Sequence, residues 1–138
     1  MKRIWYLSGA AVFLLAACTN NTSPDTQQEQ KISAAIEAFV TAQNTLELDG
    51  LETILSPDFK RVAADASTRG IEDYKAFTRA SRKMFSTYSI RIDDMATNPH
   101  GGYVKWTATG VYIGRGAHAG GSPINVSGLA HYGYANGK

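Results

Sequence analysis

The apolar residues of this chain change their period once, near Tyr88, and that change limits the folds open to it. Before it, Ile32, Ala35, Ile36, Phe39, Val40, Gln43 and Leu46 recur at helical spacing, with Glu37, Thr41 and Asn44 opposite. Such a stripe predicts an amphipathic helix over about residues 28–46. Asp49 can cap a short second helix over 50–55, stopped by Ser56-Pro57. Residues 59–64 read as a short strand, and Ile71, Tyr74, Phe77, Ser81, Met84 and Phe85 mark a third helix. After the switch, Tyr88-Ser89-Ile90-Arg91-Ile92-Asp93 alternates with the period of a strand. Residues 98–102 form a turn, 103–113 a long strand, 114–123 a glycine-rich loop and 124–135 a last strand. Helices first and antiparallel strands after predict an α+β domain, with helices packed on one face of a curved sheet. Asn136-Gly137 is a strong two-residue hairpin signal that calls for a returning strand, and only Lys138 follows it. Either this turn is a frayed terminus or the sheet lacks its last strand, which would leave the edge of 124–135 open to strand exchange.

The N-terminus reads as an address. Met1-Lys2-Arg3 is basic, residues 4–17 are apolar, and this run is too short to span a bilayer comfortably. It ends in Leu15-Ala16-Ala17-Cys18, around the only cysteine of the chain. This motif resembles the lipobox of bacterial lipoproteins. The resemblance implies a signal peptide over 1–17, lipid attached to Cys18, and several acyl chains holding the protein to a membrane, where one chain alone binds marginally. In the resembled family an Asp after the cysteine retains the protein in the inner membrane, so the resemblance implies, with Thr19 at that place, the periplasmic face of the outer membrane in a Gram-negative cell. Residues 18–30, with the polar run TNNTSPDTQQEQ, are expected to be a flexible tether, so that 31–138 form the domain.

Charge excludes one large class. Fourteen Lys plus Arg face twelve Asp plus Glu, and two of the bases, Lys2 and Arg3, lie in the leader. The remaining side chains balance, so no nucleic-acid partner is expected. The face Lys75, Arg79, Arg82 and Lys83 of the third helix reads as solvated, with contact to anionic lipid headgroups as the alternative. His100, His118 and His131 do not have the spacing of a zinc motif, and no cysteine is spare for one; neither a metal nor another cofactor is expected. There is no nucleophile elbow. The weak catalytic candidates are His131, whose ordinary pKa suits a general base, and Asp58, whose alternative is a turn residue. Trp106 and Tyr112 share strand parity with Val104 and Ala108, and with Tyr74 they are the candidates to line a pocket for a flat or apolar ligand. Which face of the strands is concave is not fixed by parity.

The ordered set of local motifs is familiar. Asp49-Gly50-Leu51, Ser56-Pro57-Asp58-Phe59, Arg69-Gly70-Ile71-Glu72-Asp73-Tyr74, Val104-Lys105-Trp106-Thr107-Ala108-Thr109-Gly110 and Val126-Ser127-Gly128-Leu129-Ala130 occur in that order. The series resembles the SnoaL-like polyketide cyclases of the nuclear transport factor two-like superfamily. The resemblance implies a cone in which a curved antiparallel sheet wraps a long helix around a mostly apolar pocket, often dimerised through the sheet. It also implies cofactor-free acid/base chemistry on a polyketide. The carboxylate usually credited with that chemistry lies on the strand after the Asn-Gly-Lys-like turn, where this sequence has no residue to receive the role. Three readings follow: an envelope lipoprotein binding a small, largely apolar molecule; a cyclase- or isomerase-like enzyme acting α to a carbonyl; and a homodimeric association module.

Overall fold

The computed structural model describes residues 23–116 and 120–138. The expected anchor at Cys18 and the loop residue His118 lie outside the described residues. Helix α1 runs over Pro24–Thr45 and turns Ile32, Ile36, Phe39 and Val40 inward. It starts earlier than its apolar stripe predicts, inside the segment read as a tether. The reason is local: the Ser23 hydroxyl accepts the Thr26 N–H at 3.2 Å, Pro24 occupies the first turn, and Asp25 meets the positive end of the helix. A single 3-10 turn, Leu51–Thr53, replaces the expected second helix. Strands β1 (Lys60–Val62) and β2 (Ser67–Arg69) form a small antiparallel hairpin that pairs with no other strand among the described residues. Helix α2 covers Ile71–Arg82.

The main sheet has the order β3-β4-β5, with β3 over Phe85–Asn98, β4 over Gly101–Tyr112 and β5 over Ser122–Gly133. Bulges between Phe85 and Thr87 and between Ile92 and Asp94 sharpen the twist of β3. The register aligns Ile92, Trp106 and Gly128 in one cross-strand row and Thr97, Gly102 and Tyr132 in another. Val104 and Ala108 on that face are buried, and Ile32, Ile36 and Val104 pack as one apolar cluster. The face of Val104, Trp106 and Ala108 is thus the inner one. Asn44 clamps α1 to the sheet: its amide donates to the Ile90 carbonyl at 2.8 Å and accepts the Ile90 N–H at 2.7 Å. This is the α+β cone expected from the sequence.

Two turns decide how the strands meet. Between β3 and β4, Gly101 has φ +152°, and a Cβ there would lie 2.1 Å from the Tyr132 carbonyl oxygen on β5; only glycine fits. At the C-terminal end, Asn136 and Gly137 both take positive φ, and Ala135 and Lys138 exchange backbone hydrogen bonds of 2.8 and 3.0 Å. The hairpin turn signalled by Asn-Gly therefore forms.

Candidate functional site

The interior of the cone is an aromatic cluster with hydroxyl groups at its edge. Phe39 of α1 is 6% exposed and touches three rings, with centroids 5.3 Å from Tyr74, 5.9 Å from Tyr132 and 6.0 Å from Phe59. Phe59 and Tyr74 meet edge to face at 5.4 Å. Helical spacing brings Phe39 and Tyr74 here, and the loop after the 3-10 turn brings Phe59. Strand parity brings Tyr132. Trp106 lies half-buried across Gly128, where a Cβ would meet the indole at 2.5 Å. A side chain at position 128 would push the indole out of place.

Three phenols share one electrostatic setting. Burial pushes the Tyr74 hydroxyl up to about 12, opposed by a hydrogen bond with Thr78. Burial also raises Tyr88 and Tyr132. Positive charge opposes these shifts, that of Arg61 at Tyr74 and Tyr132 and that of Arg82 ahead of Arg61 at Tyr88. Arg61 stands over the Phe77 ring at 4.8 Å, and Arg82 stands over Tyr88 at the same distance. The phenols stay protonated at any physiological pH, so each can donate a hydrogen bond.

The predicted site residues divide between this interior and the surface. Tyr74 and Trp106 lie inside. Tyr112 is half-buried beside Phe85 at 5.4 Å, and its hydroxyl donates to the Arg115 carbonyl at 3.0 Å. His131 falls on the outer face, exposed against Tyr103 with ring centroids 4.6 Å apart. Asp58 is exposed and accepts a short hydrogen bond from the Ser56 hydroxyl, which holds its carboxyl below the usual range. The structure therefore does not bring His131 or Asp58 to the cluster. Asp93 sits at the second bulge of β3 with its side chain 17% exposed, where the Thr107 hydroxyl donates to it at 2.6 Å and lowers its pKa. The described Asp and Glu are exposed apart from Glu29, half-buried early in α1, and Asp93, whose side chain is covered on the outer face beside Thr107. No group of three metal-ligating side chains comes together among the described residues.

The basic face of α2 is not a free one. The Lys75 side chain is 7% exposed and pairs with Glu52 and Glu72, whose hydrogen bonds raise its pKa, that of Glu52 most. Arg79 pairs with Asp49 at 3.3 Å, and Arg82 donates to the Tyr88 and Asn44 carbonyls at 2.8 and 3.3 Å. These bases pin α2 to its neighbours. Among the described helices, none is long and apolar enough to cross a membrane.

A depression of about 390 Å³ crosses the sheet at the level of Gly110. Thr87, Ser89, Thr109, Val111 and Pro123 of its lining have outer-face parity, whereas Tyr88, Gly110 and Ile124 share the parity of Trp106 and Ala108.

A model of the SnoaL-like domain matches residues 36–138. The chain belongs to the SnoaL-like family. The fold is shared with solved structures of low identity. A protein of Xanthomonas campestris pv. campestris assigned as a polyketide cyclase superposes with TM-score 0.68 at 17% identity, covering 80% of this chain and 86% of that one. One of Jannaschia sp. CCS1, assigned as a SnoaL-like polyketide cyclase, gives TM-score 0.67 at 18% identity, covering 85% and 83%. An LEH-like epoxide hydrolase of M. tuberculosis gives TM-score 0.64 at 13% identity, covering 80% and 74%. No curated protein sequence matches significantly.

Proposed function

We propose that this SnoaL-like chain is an envelope lipoprotein, anchored through Cys18, that holds a small, largely apolar molecule in its cone interior without converting it. One observation carries the reading. The interior offers aromatic rings and hydroxyl donors, while the described carboxylates and histidines, the usual proton-transfer groups, stand outside this ring cluster. Related folds assigned as cyclases and epoxide hydrolases keep an enzymatic reading second, because fold alone does not set chemistry. The binding reading is tested on the full chain carrying Trp5→Phe, which leaves Trp106 as the sole indole. Neutral N-phenyl-1-naphthylamine is expected to quench Trp106 saturably, with Kd on the order of micromolar. A linear, non-saturating response would remove it. Recovery of a chemically altered small molecule after incubation with a cell extract would move the enzymatic reading to first place.

The anchor has its own test. Cys18→Ala is expected to leave the precursor uncleaved and without acyl mass, because the thiol is the attachment point in the motif this segment resembles. A normally acylated, membrane-bound product from that variant would overturn the anchor.

A further inference from the structure

The β1–β2 hairpin turns Arg61 and Thr68 toward α2 and carries Lys60, Val62, Ser67 and Arg69 on its other side. Arg61 and Thr68 are cross-strand partners, so their side chains leave the hairpin on the same side. That side faces α2, because the Arg61 guanidinium lies over Phe77. On the other side Val62 is 82% exposed. Thr68 is 4% exposed, yet its hydroxyl has no hydrogen-bond partner. A buried hydroxyl without a partner is a costly arrangement that calls for an explanation. Arg61 retains 26% side-chain exposure. Its Nη1 donates to the Ala66 carbonyl at 2.7 Å and its Nη2 to the Asp65 carboxylate at 2.8 and 3.1 Å. Its Nε–H has no partner among the described residues. Asp65 itself is at the rim, with 62% of its side chain exposed.

We propose that Arg61 and Thr68 form a headgroup site for a carboxylate carried on an apolar body, such as a medium-chain fatty acid or an aromatic acid. The proposal rests on the binding reading above and names the chemistry of its ligand. Guanidinium and hydroxyl both donate, and a carboxylate is the small headgroup that accepts from several donors at once. Arg61 already holds a carboxylate, its Nη2 reaching both oxygens of Asp65, and the guanidinium plane suits such groups. Between residues 60 and 69 the chain holds Lys60, Arg61 and Arg69 against Asp65 alone, a local positive field that favours an approaching anion. The apolar body would lie against Phe77, under the Arg61 guanidinium, and Phe59, whose carbonyl ties the hairpin base. The hairpin is tied at its base, where the Gly70 N–H donates to the Phe59 carbonyl at 2.7 Å. In this arrangement Asp65 is an internal stand-in: an incoming carboxylate takes its place on Arg61 and brings the Thr68 hydroxyl a partner.

The test is displacement of bound N-phenyl-1-naphthylamine from the full chain by decanoate or by 1-decanol at pH 8. The acid is expected to bind at least about tenfold more tightly than the alcohol, the scale of one charge-assisted hydrogen bond. Arg61→Gln should bring that ratio close to one. Asp65→Asn acts in the opposite direction, because removing the internal competitor should strengthen decanoate binding several-fold; it also guards against an Arg61 variant that fails to fold. Thr68→Val should weaken decanoate more than decanol. Equal affinity of acid and alcohol in the wild-type chain, or an unchanged ratio in a folded Arg61→Gln, overturns the headgroup site and leaves the binding reading standing. Failure of the naphthylamine probe itself overturns both.

Discussion

Replacing Phe39 by alanine is expected to destabilise the domain by about 3–5 kcal/mol, the usual cost of truncating a buried phenylalanine. The position justifies the upper part of that range. Phe39 is the ring that touches Phe59, Tyr74 and Tyr132 together, so its loss leaves a cavity bounded by a helix, a loop and a strand that cannot all collapse inward. Against a typical total of about 5–15 kcal/mol this is a large fraction. Urea unfolding at neutral pH provides the measurement, and the midpoint should fall with little change in slope. Leu129→Ala is the control: the residue is 71% exposed on the outer face, so its effect should stay within about 0.5 kcal/mol. Similar midpoints for the two variants would show that the aromatic cluster is not what holds α1 against the sheet. Because Phe39 seats Tyr74 and Tyr132, the same variant should also lose the saturable quenching of Trp106.

The stripe of Ile32, Ile36, Phe39 and Val40 was legible because burial on one face of a helix imposes a period that few other arrangements produce. The strands were legible for the same reason, and Asn136-Gly137 because so few residues adopt positive φ at two successive positions. What parity could not supply was the side on which α1 packs. Trp106 and His131 stand on adjacent strands with equally clear alternation, and only the packing of Ile36 against Val104 makes one inner and the other outer. Strand β2 was missed because Ser67-Thr68-Arg69 is short, polar and without alternation; its pairing with β1 depends on a turn, not on burial. The early start of α1 was written in Ser23-Pro24-Asp25 as a cap, a first-turn proline and an acidic first turn. The polar run around it hid that signal. The basic face of α2 misled for a third reason: Lys75 and Arg79 find Glu52 and Asp49 from a loop more than twenty residues away, and such partners leave no trace in local spacing. Arg61, the cation of the proposed headgroup site, was passed over because nothing in its own segment distinguishes it from a solvated base.

Stability is expected to fall steeply between about pH 10 and pH 12, and Tyr74 is the residue chiefly responsible. An unfolded tyrosine ionises near 10, whereas burial pushes Tyr74 up to about 12 in the folded chain. The folded state therefore holds this proton more tightly than the unfolded state. Its contribution is complete below the unfolded value and is lost as pH rises through the folded one. A gap of about two pK units corresponds to about 3 kcal/mol, to order of magnitude. Tyr88 and Tyr132 are raised by burial as well and add to the fall in the same direction. Comparison of Tyr74→Phe with the wild-type chain isolates the one group. At pH 8 the variant should be slightly less stable, because its hydrogen bond with Thr78 is gone and the Thr78 hydroxyl, in a residue 8% exposed, loses a partner. At pH 11.5 the order should reverse, since phenylalanine has no proton to lose. Urea midpoints at those two pH values check this directly. Curves that run parallel from pH 8 to 11.5 would mean that the Tyr74 hydroxyl is hydrated in solution. The interior would then be wet at the point where the proposed ligand must find apolar walls and neutral donors.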